Sequence, residues 1–314
     1  MKRVCLLIAV LLLLVGCGQG ESSKDSSLSP KSDENGKSAT VSFASDATAS
    51  PSPLPTAVPT PTPIFSEPNE KGDIEINADL LSTLPATTYT VPADTVILIY
   101  HTHAAEAYRQ EGKYTYKETE PDSYRTLDES KSVIAVGEAL KIELEGYGYT
   151  VIHDTTNVEA PELTSAYSRS CEVMLSHPEA DIFIDLHRNA ANVMFKSDDV
   201  VILNEKRCAK MFFVVGTGIG TYEGEYAKTP NWKSNYRLAL SLTEELRAIS
   251  PELATDIRTK VGRYNQHVSD MCILLELGHN ANTMDDVLNS VPYFASAFSK
   301  VILLDKVESE PSVS

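Results

Sequence analysis

Residues 95–108 read TVILIYHTHAAEAY: an unbroken β-branched and apolar run, Thr95 to Tyr100, followed at once by His101, His103 and Glu106. A short continuous apolar run of this kind is expected for a strand buried on both faces, as strands of a parallel sheet are. The pattern returns twice. In DIFIDLHRNA (181–190) the strand Ala180 to Leu186 runs into His187, and in MCILLELGHNAN (271–282) Cys272 to Leu275 delivers Glu276. An open α/β sheet collects ligands outside the carboxyl ends of its strands, so three strands that end in His or Glu are expected to meet at one crevice.

The segments between these runs supply the rest of the fold. Ser130 to Glu145 is expected to be a helix, with Val133, Val136, Leu140 and Leu144 on one face. Tyr149 to His153 and Met211 to Gly216 read as further strands. Helices are expected over about Ala160 to Ser176, Asn231 to Ile249 and Met284 to Leu304, the last opened by Asn282, Thr283 and Asp285. Strands alternating with helices predict an α/β domain, a mainly parallel twisted sheet covered by helices on both faces. Roughly 230 residues, 71–307, are enough for one full core.

His103, Glu106 and His187 form a two-imidazole, one-carboxylate set, the donor chemistry of a catalytic Zn2+ site that keeps a position open for water. Glu276 then reads as the general base, since a carboxylate at the end of a buried strand is costly unless paired or beside a metal. Glu129, just before the first long helix, competes with Glu106 for the third ligand position. His101 stays ambiguous, because in extended chain it shares a side with His103. Arg188 and Asn189 are candidate donors to a substrate carbonyl or carboxylate, Tyr264, Asn265 and Gln266 candidate peptide or sugar contacts, and His279 a candidate groove residue. Trp232, the only tryptophan, is read as packing.

The segments IYHTHAAEAY, AYSRSCEVMLSHPEADIFIDLHRNA, VVGT, NWKSNYRLAL, RYNQ and LLELGHNANTMDDV, in this order, resemble the stage II sporulation protein P (SpoIIP) family over roughly residues 90 to 304. The resemblance implies a zinc-dependent N-acetylmuramoyl-L-alanine amidase that cuts peptidoglycan between muramic acid and the stem peptide, with endopeptidase activity reported for the family as well. It also implies partners of the SpoIID and SpoIIM type in engulfment during sporulation. The chain departs from the family at its amino end, where a transmembrane helix is usual. Two other readings share the residues: a wall-binding lipoprotein that has lost catalysis, and a zinc carboxypeptidase on stem peptides.

Residues 1–17 read as a lipoprotein signal: Lys2 and Arg3, an apolar run from Cys5 to Val15 too short to span a bilayer, and Leu14-Val15-Gly16-Cys17 with Cys17 as the lipidation site. Residues 18–70 are rich in Ser, Thr and Pro, with seven of the 17 prolines between Pro51 and Pro68, and are expected to be a disordered tether. Extended, such a tether reaches on the order of 100 Å, enough to carry a domain from the outer face of the membrane into the wall, which the SpoIIP resemblance implies is that of a Gram-positive endospore former. Residues 308–314 read as a disordered tail. A net charge of −17 argues against nucleic acid as a partner. Cys171, Cys208 and Cys272 are an odd set, two of them in apolar elements, and no structural disulfide is expected.

Overall fold

The apolar runs satisfy their backbone groups in one central sheet. In the computed structural model, which describes residues 66, 68–190, 199–218, 229 and 231–305, the strands in chain order are β1 (Tyr89–Val91), β2 (Val96–Tyr100), β3 (Thr150–His153), β4 (Ile182–Asn189), β5 (Val200–Leu203), β6 (Lys206–Ala209), β7 (Met211–Gly216), β8 (Arg258–Lys260), β9 (Cys272–His279) and β10 (Ile302–Leu304). The helices are α1 (Ala78–Leu81), α2 (Val133–Gly146), α3 (Ala166–Ser176), α4 (Trp232–Ile249), α5 (Met284–Leu288) and α6 (Val291–Val301). The signal segment, Cys17, most of the tether and the tail lie outside the described residues, and among those described no helix is long and apolar enough to cross a membrane.

The central sheet has the order β3-β2-β4-β9-β7-β8. Its first four strands are parallel; β7 runs antiparallel to β9, and β8 pairs parallel with β7. The fold is therefore α/β with a mostly parallel sheet. Alternation along the strands divides the core in two. Ile97, Ile99, Ile182, Ile184, Leu186, Phe213, Val215, Ile273 and Leu275 face α2, α4 and α6. On the opposite face Leu98, Tyr100, Phe183 and Cys272 pack on Met174 of α3, and Phe212, Val214 and Leu274 pack on Tyr264. Among the described residues α3 is the one α-helix on this second face, and the site lies beyond it.

Local sequence explains the boundaries. Ser132 caps α2 by accepting from the Ile134 N–H, and Thr283 with Asp286 makes a capping box at α5. The single helix expected over Met284 to Leu304 is two helices and a strand, because Pro292 in the first turn of α6 has no N–H to continue the preceding helix. Likewise α3 begins at Ala166, after Pro161 and a 3-10 turn at Leu163–Ser165. The β5–β6 hairpin turns through Asn204 and Glu205, both at positive φ, and sequence reasoning missed it since Asn-Glu is a weak turn signal beside Asn-Gly. Trp232 is buried in the core. Cys171, Cys208 and Cys272 are free thiols.

Helix α2 approaches the sheet closely at Gly137. A Cβ there would lie 2.5 Å from His153 Nε2 and 2.8 Å from His101 Nε2. Gly137→Ala is therefore expected to lower stability by about 1–3 kcal/mol despite the better helix propensity of alanine, as read from the urea midpoint.

Candidate active site

The loop after β2 is fixed to β4 by one buried carboxylate. Asp185 accepts the Thr102 N–H at 2.9 Å and the Thr102 hydroxyl at 2.7 Å. From there the chain turns, and the Glu106 N–H donates to the His103 carbonyl at 3.1 Å, which brings the two side chains to the same place. His187 follows Asp185 by two residues on β4 and so shares its face. In the parallel register His187 stands directly beside Glu276 of β9. Four residues from three segments thus collect on the face that carries α3.

Each imidazole has a carboxylate behind it. His103 Nδ1 lies 3.0 Å from Glu159 Oε1, and His187 Nε2 lies 2.9 Å from Asp185 Oδ1. The second contact lacks the angle of a hydrogen bond, so that buried nitrogen has distance to its carboxylate without alignment. On the other side of its ring, His187 Nδ1 is 3.5 Å from Glu106 Oε2. The two imidazoles meet edge to face, with centroids 5.3 Å apart. Glu276 is partly open to solvent, yet its Oε2 is enclosed and has no hydrogen-bond partner.

The electrostatics follow from this crowding. Burial would keep Glu106 protonated, but His187 and Arg188 hold its carboxyl down to about 2. Burial also disfavours charge on His187, and Asp185 with Glu106 outweighs it, holding the imidazole well above its usual range. Burial and the Glu106 charge push Glu276 up to about 7. Burial is opposed at Glu159 by His103 and Arg125, which hold that carboxyl below its ordinary value.

Among the described residues no three His, Cys, Asp or Glu side chains stand ready as a set to hold a metal ion. The donor chemistry nevertheless fits one. Four carboxylates, Glu106, Glu159, Asp185 and Glu276, surround two imidazoles, and histidine ligands are normally backed by a carboxylate on the nitrogen away from the metal. The 3.5 Å between His187 Nδ1 and Glu106 Oε2 is also close to the separation of two ligands on one zinc, roughly 3.3 Å for bonds of about 2 Å at a tetrahedral angle.

The other candidates take different places. His101 lies on the opposite face of the sheet, towards α2: its ring touches Leu186 O and His153 Nε2, both at 2.9 Å, and burial together with His153 holds its pKa at about 3. Glu129 is exposed on the turn before α2. The Arg188 guanidinium is occupied by the carbonyls of Ala107 and Tyr124, at 2.8 and 3.0 Å, so it buttresses the loop that carries Glu106. The backbone N–H of Arg188 donates to Glu106 Oε2 at 3.1 Å. Asn189 pairs in register with His279, whose Nδ1 accepts the Ala281 N–H at 3.1 Å.

The RYNQ stretch is largely structural. Asn265 donates to Tyr167 O and Ser170 Oγ of α3, and Gln266 meets the edge of β7 as a strand would, accepting from the Gly216 N–H at 2.8 Å and donating to Val214 O at 2.7 Å. Gly216 lets the backbone just before this stretch close on β7, since a Cβ would sit 2.5 Å from Gly262 O and 2.8 Å from Arg263 O. Tyr264 differs: held at φ 49°, its ring meets Tyr167, which in turn meets His103.

Three residues of the site were not anticipated. Asp185 carried a signal, the period of two that places it on the face of His187. Glu159 and Arg125, which pair with each other beside His103, come from loops 34 residues apart and carried none.

The model of the SpoIIP family, described as "Stage II sporulation protein P (SpoIIP)", matches residues 19–299. The chain belongs to this family. A curated relative, the stage II sporulation protein P of Bacillus subtilis (strain 168), is 27% identical over 219 residues, which are 66% of this chain and 51% of the relative. The chain thus spans about half the length of that family member. Among solved structures it is similar to the catalytic domain of CwlV, an N-acetylmuramoyl-L-alanine amidase from Bacillus (Paenibacillus) polymyxa var. colistinus, at 13% identity and a TM-score of 0.37, covering 66% of this chain and 97% of that one. An N-acetylmuramoyl-L-alanine amidase from Clostridium difficile 630 matches at 10% identity and a TM-score of 0.36, covering 66% and 94%.

Proposed function

We infer that this SpoIIP-family chain is a zinc-dependent peptidoglycan hydrolase that cleaves the amide between N-acetylmuramic acid and L-alanine. The observation that carries the reading is the pair of carboxylate-backed imidazoles, His103 and His187, gathered with Glu106 beside Glu276 on one face of the sheet. His103, Glu106 and His187 are the residues that would hold zinc, which when bound supplies a Lewis acid that polarises the scissile carbonyl and acidifies water.

The chain's own groups do the rest. Glu159 holds the His103 ring by a hydrogen bond and Asp185 lies behind the His187 ring, which leaves His103 Nε2 and His187 Nδ1 for the ion. Glu276, raised to about 7, takes the proton of the attacking water and returns it to the departing amide nitrogen, which leaves as the free amine. Water adds across one C–N bond, and no covalent enzyme intermediate is needed. Arg188 holds Glu106 and its loop in place.

In the same reading the protein is anchored by a lipid on Cys17 at the outer face of the membrane, with residues 18–70 as the tether into the wall. It works in sporulation or septal wall remodelling, with SpoIID-type and SpoIIM-type proteins as partners. The deciding experiment digests purified peptidoglycan with the full chain, with and without a zinc chelator, and analyses the products by mass spectrometry. Free muramic lactyl ends and released intact stem peptides are expected, and both should disappear on chelation. Release of single terminal amino acids would make the protein a carboxypeptidase, and binding without any product a wall-binding module.

A further inference from the structure

Arg188 is occupied by backbone carbonyls and Arg125 by Glu159, and a further cation stands on the site's own face. Arg258 opens β8 and pairs in register with Val214, while Phe212, two residues before Val214 on β7, pairs with Glu276. All four side chains therefore share the face of His187. The guanidinium leans back over the Phe212 ring, 4.1 Å from its centroid, towards the end of the sheet where Glu276 stands. Phe212 is buried and Arg258 is exposed. Among the described residues the Arg258 side chain makes no hydrogen bond and no ion pair within 4 Å; Asp73, whose carboxyl its charge helps to hold down, is paired instead with Lys260.

A guanidinium stacked on an aromatic ring is held in one plane, with its N–H fork directed outward, and that fork matches a carboxylate. Two strand spacings, roughly 10 Å, separate the backbones of β9 and β8. An extended substrate covers about 3.5 Å per residue, so a group read by Arg258 sits about three residues from the bond attacked beside Glu276. We propose that Arg258, stacked on Phe212, is the specificity residue of this site and binds a carboxylate of the substrate peptide about three residues along from the scissile amide. This rests on the hydrolase reading above.

The test uses the full chain and soluble disaccharide-peptides from peptidoglycan in two forms, one with free peptide carboxylates and one with them chemically amidated. Arg258→Ala is expected to raise KM on the free form about 10- to 100-fold, the worth of a charge-assisted hydrogen bond, while kcat stays within about twofold. It should leave the amidated form untouched. Arg258→Lys keeps the charge without the stacked fork and should recover part of the loss. The side chain is exposed, so the variants should keep the wild-type unfolding midpoint. Equal loss on both forms, or none on either, overturns the assignment while leaving the hydrolase reading standing. Wild-type protein that cleaves neither form overturns the hydrolase reading, and this inference falls with it.

Discussion

Glu276→Gln is expected to lower the rate of peptidoglycan cleavage by about two to four decades, the usual contribution of a positioned general base, while zinc content and wall binding stay near wild type. The amide is isosteric with the carboxylate and fits the same place on β9, where Oε2 is enclosed and unbonded. It cannot take a proton from water. The fold should not suffer, because burial and the Glu106 charge already disfavour the ionised form of Glu276, and a neutral amide removes that repulsion. The check is single-turnover kinetics on purified peptidoglycan together with metal analysis of the same sample. Near-normal turnover with zinc retained would remove Glu276 from the mechanism, and loss of the metal would make it a ligand.

His187→Ala should abolish both zinc binding and cleavage. Two remaining donors hold zinc far more weakly than three, and the activity should fall to background. The substitution also strips the imidazole from between Asp185 and Glu106, which leaves two buried carboxylates facing a cavity. Removing one partner from a buried ionic group costs about 3–5 kcal/mol, so the unfolding midpoint should drop as well. If the variant does not fold, His103→Ala gives the same metal readout from a ring that is 25% exposed. Glu106→Ala and Glu129→Ala complete the series, measured by zinc content at equal fold by circular dichroism. The sharp loss is expected in the Glu106 variant, whose carboxylate faces His187, and not in the Glu129 variant, whose residue is exposed. Full zinc in the Glu106 variant would transfer the ligand role to Glu129.

The sequence by itself determined the α/β class, the strands β2, β4, β7 and β9, and the coming together of His103, Glu106, His187 and Glu276. These are local matters. A short apolar run rich in β-branched residues and flanked by polar segments fits a buried strand, and the residue that follows it emerges at the strand's end. The reversal of β7 against β9 was beyond reach, since an apolar run carries no direction, and so was the break at Pro292 in what reads as one helix.

Tertiary structure alone decided which polar groups support the site and which support the fold. His101 and His103 are two residues apart, yet the turn after Tyr100 sends one to α2 and the other to the site. Arg188, Asn265 and Gln266 have the chemistry of substrate contacts, but carbonyls of distant segments have taken their donors. Glu159 and Arg125 entered the site from loops with no motif, and Arg258 faces it because β8 pairs with β7. A buried donor or acceptor is satisfied by whatever the folded chain brings within 3 Å of it, and that partner is set by sheet order and loop path, which no local pattern of residues encodes.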